Sequence, residues 1–233
     1  MRSRVIAVAG AKGSPGCSFL SVVLARCIAA CNVTTLLLDG DAEGAGLSTV
    51  LDVPSIRPVL PLDEKAFDEH AVQVEQNLWF AELDQSSDGS FNGLVALNAA
   101  RARHNAVVVD LGHAAGVLQR QLSAASDWLL WVVVADRSGL ERADRALEAA
   151  TLGAANVGLV FNRIGPGCLD RADEVLSGRH RIPVLARIKE DRHVADRIFG
   201  GVPVHNERSL RRTLGELVRS VHPEAGEAVS AWQ

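Results

Sequence analysis

The chain has no long apolar run and no clustered cysteines, and each shortage excludes a class of protein. No apolar run among its 233 residues approaches the length that a bilayer-spanning helix needs. Only five apolar residues separate Met1-Arg2-Ser3-Arg4 from Gly10, too few for a signal peptide, so we expect a cytoplasmic protein. The four cysteines, Cys17, Cys27, Cys31 and Cys168, are not clustered as metal ligands are. Cys27 and Cys31 lie four apart on an apolar helix face, which is typical of small, buried, reduced side chains; zinc or a disulfide is the alternative.

Lysine is also scarce, which makes each lysine informative. Of the 24 lysines and arginines, only Lys12, Lys65 and Lys189 are lysines. The formal net charge of −4 predicts no general attraction to nucleic acid. Between Arg171 and Arg219, however, eleven basic side chains outnumber seven acidic ones. That asymmetry is typical of a solvated helical surface, and a weak DNA-binding or partner-binding face is the alternative.

Short apolar runs alternate with helical patterns along the chain, and this alternation predicts the fold class. Predicted strands cover 5–9, 35–38, 78–81, 106–110, 128–135, 157–161 and 183–186, and predicted helices cover 19–30, 93–103, 140–152, 170–176, 194–199 and 209–221. The pattern indicates an α/β fold with a doubly wound, mainly parallel sheet flanked by helices. We expect one domain over residues 1–222, an irregular connection with a short helix at 53–76, and a flexible tail at 223–233.

A glycine-rich loop follows the first predicted strand and has the pattern of an altered phosphate-binding loop. Such a loop reads G-x-x-x-x-G-K-[ST]: its backbone N–H groups surround a phosphate, its lysine reaches the β- and γ-phosphates, and its hydroxyl binds Mg²⁺. Gly10 and Gly16 hold the glycine positions and Ser18 holds the hydroxyl position, but Cys17 replaces the lysine. An earlier lysine, Lys12, stands just after the first glycine. An ordinary turn between a strand and a helix is the alternative.

Three further polar groups follow predicted strands, at the edge of the sheet where open α/β folds bind ligands. Asp39-Gly40-Asp41 could serve a metal and orient an attacking water. Asp110-Leu111-Gly112 has the form of a Walker B aspartate followed by a glycine whose N–H could approach a γ-phosphate. Asn162-Arg163 offers an amide that could contact an adenine edge. Each group alone is also typical of an ordinary turn or cap.

In their order along the chain, these motifs resemble those of the MinD/ParA group of deviant Walker-A P-loop ATPases. The resemblance covers about residues 3–221. It starts where 12–18, Lys-Gly-Ser-Pro-Gly-Cys-Ser, takes the place of the family's K-G-G-x-G-K-[ST]. It continues through Leu38–Asp41, Val109–Gly116 and Asn162-Arg163. The segments 188–191 and 201–204 are similar to the family's segment beside the nucleotide base.

The resemblance implies ATP or ADP and Mg²⁺ as cofactors, a homodimer and a protein partner. By position, Lys12 resembles the signature lysine that reaches the partner's phosphates across a nucleotide-sandwich dimer, and Asp41 would position the attacking water. Ser18, Asp39 and Asp110 would hold Mg²⁺, and Asn162 would contact adenine. The remaining nucleotide-binding positions that the resemblance implies are Gly10, Gly13, Ser14, Gly16, Cys17, Gly112 and Arg163.

Three departures from the family pattern fall in the phosphate-binding loop and predict weak or absent ATP hydrolysis. Cys17 removes a cation, Pro15 has no N–H to donate, and Phe19 takes the place of a second hydroxyl. A charge-assisted hydrogen bond contributes about 1.5–3 kcal/mol, so its loss weakens nucleotide binding roughly tenfold to a hundredfold. Turnover should suffer more, because charge develops on the phosphate oxygens in the transition state.

The sequence therefore predicts a nucleotide switch that dimerises and binds a partner in the localisation of a cellular machine, such as a pilus, secretion, septum or chromosome apparatus. TadZ/CpaE-like proteins, which are degenerate family members, fit this hypothesis. One alternative is an active ATPase of the partition or septum-placement type, in which Lys12 compensates for the missing lysine. Another is an interaction scaffold that binds no nucleotide.

Residues outside the motifs bear on three other roles: carrying a metal cluster, anchoring to a membrane and binding DNA. A relative that carries a metal cluster is disfavoured, because no paired-cysteine motif lies near 90–130. The residues after His222 are small and acidic, which predicts no direct membrane anchor. Weak nonspecific DNA binding stays open through four basic residues near the C-terminus: Arg208, Arg211, Arg212 and Arg219.

Overall fold

The structure is a computed structural model that describes residues 2–11, 16–41, 46–53, 70–83, 93–113, 116–149, 153–166, 168 and 171–229. The strands are β1 Arg4–Gly10, β2 Thr35–Asp39, β3 Val72–Glu75, β4 Leu78–Glu82, β5 Ala106–His113, β6 Trp128–Val134, β7 Asn156–Ile164 and β8 Val184–Lys189. The helices are α1 Cys17–Ala29, α2 Leu47–Val50, α3 Gly93–Arg103, α4 Val117–Ala124, α5 Arg137–Ala149, α6 Ala172–His180, α7 Arg192–Phe199, α8 Arg208–Val221 and α9 Pro223–Val229. A 3₁₀ turn, Val204–Asn206, precedes α8.

The strands form one eight-stranded sheet in the order β3-β4-β2-β5-β1-β6-β7-β8. The pairs from β4 through β8 are parallel, and β3 joins β4 as an antiparallel edge strand. The prediction of a mainly parallel, doubly wound sheet is confirmed. The strand order changes direction around β1, which lies between β5 and β6. Open α/β folds bind ligands in the crevice at such a switch point, beyond the carboxyl ends of the strands.

Both faces of the sheet are covered, which explains why the strands are almost continuously apolar. One face buries Ile6, Leu37 and Val108 against apolar side chains of α1 and α8, among them Leu24 and Leu214. The opposite face carries the alternate residues of the same strands and packs on α3 to α6 through Leu97, Leu122, Leu147 and Leu176. The alternation along each strand follows the period of two that a pleated strand imposes.

Besides the four-residue helix α2 and the 3₁₀ turn, which were not predicted, three elements differ from the sequence prediction. Within the expected irregular connection 53–76, residues Val72–Glu75 form strand β3. This strand is partly exposed and not continuously apolar, so the search for apolar runs did not predict it. Helix α4 was not predicted, because it is short and buries polar side chains. The expected flexible tail is wrong for Pro223–Val229, which form α9 with Ala225 and Val229 buried.

Among the described helices, none is long and apolar enough to cross a bilayer.

Candidate functional site

The first part of the site is the N-terminus of α1, directly beyond β1. Strand β1 ends at Gly10, and α1 begins at Cys17. Gly16 immediately precedes the helix with φ 93°, in the left-handed region that favours glycine. A Cβ at Gly16 would overlap the side-chain amide of Asn162, so glycine is also required there for close approach. Lys12, Gly13, Ser14 and Pro15 lie outside the described residues, and their predicted roles stay predictions.

The loop after β2 is organised around the Asp39 carboxylate. Asp39 Oδ1 accepts the Asp41 backbone N–H at 3.1 Å, and Oδ2 accepts the Leu47 N–H at 3.0 Å. Burial raises the pKa of Asp39, while these two N–H groups act to lower it. Both oxygens are therefore engaged in holding the loop, which gives Asp39 a structural role whatever else it binds.

Asp110 lies opposite Asp39 across the β2–β5 pair and is fully buried. Its Oδ1 accepts the Gly112 N–H at 3.1 Å, whereas Oδ2 is buried without a hydrogen-bond partner among the described residues. Burial raises the pKa of Asp110 to about 7, and a hydrogen bond with the Ser18 side chain acts to lower it. An unpartnered buried carboxylate oxygen is costly unless a ligand or proton satisfies it.

Cys17, which the sequence predicts to replace a phosphate-binding lysine, lies close to these carboxylates. The thiol is 4% exposed. Burial, followed by the negative charges of Asp110 and Asp41, raises the pKa of Cys17 well above that of an ordinary thiol. The thiol is therefore neutral and poorly nucleophilic at neutral pH, which supports space filling over redox chemistry.

Asp41, in the loop after β2, packs against the C-terminal end of β5 at Gly112. Gly112 has φ 55°, and a Cβ there would overlap the Asp41 carboxylate. Gly112 therefore allows Asp41 to pack directly on the backbone beyond Asp110. The structure thus assembles seven of the predicted site residues around the ends of β1, β2 and β5: Gly16, Cys17, Ser18, Asp39, Asp41, Asp110 and Gly112.

Asn162, near the C-terminal end of β7, also contacts the start of α1 at Gly16. The pairing of β7 with β8 shifts register between Phe161 and Ile164, and Arg163 within this interval has φ 56°. Such irregularities re-aim side chains near functional sites. Asn162 is buried with its amide over Gly16, while Arg163 is exposed at the rim of a pocket.

That pocket has a volume of about 380 Å³ and lies between β7, β8, α1 and α7. Phe19 and Phe199 form part of its wall, with their rings in edge contact at a centroid distance of 5.8 Å. About half of the lining residues are apolar, and the polar ones are Asn162, Arg163, Lys189, Glu190, Asp191 and Arg192. Asp191 also caps α7 by accepting the Val194 N–H at 3.1 Å. Apolar surface combined with polar groups that can orient a ligand is typical of small-molecule sites.

The segments predicted to lie beside a base separate in the structure. Residues 188–191 line the pocket next to Asn162. Residues 201–204 instead line a different cavity of about 180 Å³ together with Arg26 and Glu75. Arg26 Nε donates to Glu75 at 2.7 Å there, so this cavity belongs to the packing of α1 against β3.

Sequence reasoning missed two polar residues near the carboxylates. Glu82 ends β4 in register with Asp39, and its charge acts to raise the pKa of Asp39. The rule that polar residues at strand ends gather at one edge could have found it. Gln119 on α4 is 5% exposed and donates from Nε2 to the Gly40 carbonyl at 3.1 Å. A lone glutamine in an unpredicted helix gave no signal in the sequence.

The donor set suits a magnesium-bound nucleotide. Mg²⁺ prefers carboxylate and hydroxyl oxygens and uses one or two carboxylates together with substrate phosphates. Ser18 and Asp110 offer these donors, and the unpartnered Asp110 oxygen is the observation that favours a ligand. Among the described residues, no group of three or more His, Cys, Asp or Glu is arranged to hold a metal by itself.

Comparison with known proteins shows the family. Residues 6–204 match the model of the CobQ/CobB/MinD/ParA nucleotide binding domain. The chain belongs to this family. No curated protein sequence matches it.

Solved structures of MinD and ParA proteins have the same fold at low sequence identity. The septum site-determining protein MinD of Pyrococcus horikoshii, complexed with Mg-ADP, is 17% identical with a TM-score of 0.77, over 97% of this chain and 98% of that one. A ParA family ATPase of Chlorobium tepidum is 16% identical with a TM-score of 0.70, over 99% and 98%. MinD in the MinC:MinD complex of Aquifex aeolicus is 16% identical with a TM-score of 0.73, over 98% and 96%. These likenesses establish the MinD/ParA fold.

Proposed function

We propose that this MinD/ParA family member is a nucleotide switch with weak or absent ATP hydrolysis. The observation that carries the proposal is the buried Asp110 carboxylate, which has one oxygen without a hydrogen-bond partner among the described residues and which interacts with the Ser18 side chain, while Cys17 stands at the position of the lysine. The carboxylates and hydroxyl for Mg²⁺ remain, and the cation for the phosphates is lost. The site can therefore bind Mg-nucleotide more readily than it can stabilise a transferring phosphoryl group.

The residues divide into two sets around the proposed ligand. Ser18 and Asp110 would hold Mg²⁺, with Asp39 fixing the loop, and Mg²⁺ would supply positive charge to the phosphate oxygens. Asp41 would position water, and Lys12 would act from a partner subunit. The 380 Å³ pocket beside Asn162 and Arg163 would take the adenine base.

We further propose that the chain dimerises and binds a protein partner in the localisation of a cellular machine. The Aquifex aeolicus MinD of similar fold was solved in complex with MinC, which supports a protein partner for this chain. Pilus, secretion, septum and chromosome machinery are all compatible with this role, and a TadZ/CpaE-like assignment is one form of it.

Nonspecific DNA binding has weaker support. On α8, Arg212 pairs with Glu216 at 3.1 Å, and the opposite face of the helix packs into the core through Leu214 and Val218. The arginines that remain exposed there are typical of a solvated helix.

Nucleotide titration followed by phosphate release tests the proposed function. The wild type should bind Mg-ADP and Mg-ATP and release phosphate slowly or not at all. Clear turnover that disappears in Asp41→Ala would overturn the inactive-switch proposal in favour of an active ATPase. No binding of ATP or ADP at millimolar concentration would make the chain an interaction scaffold instead.

A further inference from the structure

Gln119 joins two loops of the site from a helix that itself lies outside it. Its side-chain Nε2 donates to the carbonyl of Gly40, between Asp39 and Asp41, at 3.1 Å. Its Oε1 lies so close to Gly116 that a Cβ at Gly116 would overlap it. The carboxamide is 5% exposed and spans from the start of α4 to the loop after β2.

Gly40 is held from several sides, and Gln119 supplies one of these contacts. The Gly40 N–H donates to the Asp110 carbonyl at 2.8 Å. A Cβ at Gly40 would meet that carbonyl at 3.0 Å and a methyl of Leu122 at 3.5 Å. Gly40 is thus packed between β5 and α4, and its two peptide groups lead directly to Asp39 and Asp41. A rotation of the Gly40 carbonyl would move Asp41 away from Gly112.

We propose that Gln119 is a positioning residue that holds Asp39 and Asp41 in place relative to Asp110. It thereby links α4 to these three carboxylates, the metal end of the proposed nucleotide site. The inference rests on the proposed function for its ligand. Binding of Mg-nucleotide beside Asp39, Asp41 and Asp110 restrains Gly40, and the hydrogen bond from Gln119 passes that restraint to the first turns of α4. The amide is essential because an ionised carboxylate at this position has no proton to donate to a carbonyl.

The Gln119→Met variant isolates the hydrogen bond, because methionine has a similar length and tolerates burial but cannot donate. Gln121→Met is the matched control, since Gln121 is an exposed residue of the same helix. The probes are Mg-ADP and adenosine, titrated by calorimetry with and without Mg²⁺. Adenosine uses the base pocket alone and does not reach the carboxylates.

We expect Gln119→Met to weaken Mg-ADP binding about two- to tenfold, the effect of one hydrogen bond, and to leave adenosine binding unchanged. Gln121→Met should change neither. A general loss of structure would weaken both ligands, so equal losses overturn the inference, as does an unchanged affinity for Mg-ADP.

Hydrogen exchange of the ligand-free protein separates this inference from the proposed function. If the wild type binds no nucleotide, the proposed function fails. The exchange rates of the Asp41 and Leu47 backbone N–H groups then still test whether Gln119 positions the loop. Both donate to Asp39 in the structure. Faster exchange of these two groups in Gln119→Met supports the positioning role, and unchanged exchange contradicts it.

Discussion

The two ends of the candidate site, the carboxylates beside Cys17 and the pocket beside Asn162, differ in what their side chains offer a ligand. At the metal end, Asp39, Asp41 and Asp110 crowd together beside a neutral thiol, and one carboxylate oxygen has no partner among the described residues. At the base end, an open pocket has aromatic walls, a buried amide and exposed basic groups at its rim. Under the proposed function, this difference means that the change at Cys17 is local: it removes positive charge near the phosphates and leaves intact the pocket proposed for the base.

The largest expected effect is on phosphate release, when a lysine is placed at position 17 beside the carboxylates. Cys17→Lys should raise phosphate release by about 10²- to 10³-fold, comparable to the contribution of one transition-state donor in other enzymes. Phosphate release under saturating Mg-ATP measures it, and Cys17→Ser is the control of similar size without charge. Turnover of Cys17→Lys no higher than that of Cys17→Ser would show that the site has lost more than this cation.

The second effect concerns the pH dependence of folding at the metal end. Burial raises the pKa of Asp110 from 3.8 to about 7, so the folded protein keeps a proton that the unfolded chain releases. This contribution to stability is complete below about pH 4 and is lost as the pH rises toward 7, by on the order of 3 kcal/mol. Asp110→Asn should therefore gain stability relative to the wild type across this interval in denaturant unfolding.

Asp173 provides the matched comparison for that measurement. Its slight burial acts to raise the pKa of Asp173, but the hydrogen bond from Arg187, the backbone hydrogen bonds and the positive charge of Arg187 together outweigh burial, and the pKa is lowered. This contribution is present above the ordinary pKa of 3.8 and is lost as the pH falls through the lowered pKa, so Asp173→Asn should show the opposite slope below about pH 4 and little change from pH 4 to 7. A stability difference between Asp110→Asn and the wild type that does not change from pH 4 to 7 would contradict the burial argument.

The smallest effect is expected at the base end. Asn162→Ala should weaken adenosine and Mg-ADP equally, about two- to tenfold, because one hydrogen bond to the base is lost. Asn156→Ala on the same strand is the control, since Asn156 is exposed and donates to the Asp127 carbonyl at 3.0 Å, away from the pocket. Loss of Mg-ADP binding alone would place Asn162 at the phosphates instead of the base.

The sequence predicted most of the sheet and the positions of Asp39, Asp110 and Asn162, because buried parallel strands are continuous apolar runs and polar residues end them. It missed β3 and α9, whose composition is charged or small and whose order comes from packing. It also missed Gln119, because a hydrogen bond to Gly40 across 79 positions depends on tertiary structure alone. The unpartnered oxygen of Asp110 could likewise be seen only once the loops were assembled.

The central claim is that phosphate contacts are weakened while the base pocket is retained, and the ratio of Mg-ADP affinity to adenosine affinity tests it most directly. Calorimetry of the wild type and Cys17→Lys gives this ratio for both proteins. We predict that Cys17→Lys raises the ratio roughly tenfold to a hundredfold and leaves the affinity for adenosine unchanged. An equal ratio in the two proteins, or wild-type protein that binds Mg-ADP but no adenosine, would contradict the account.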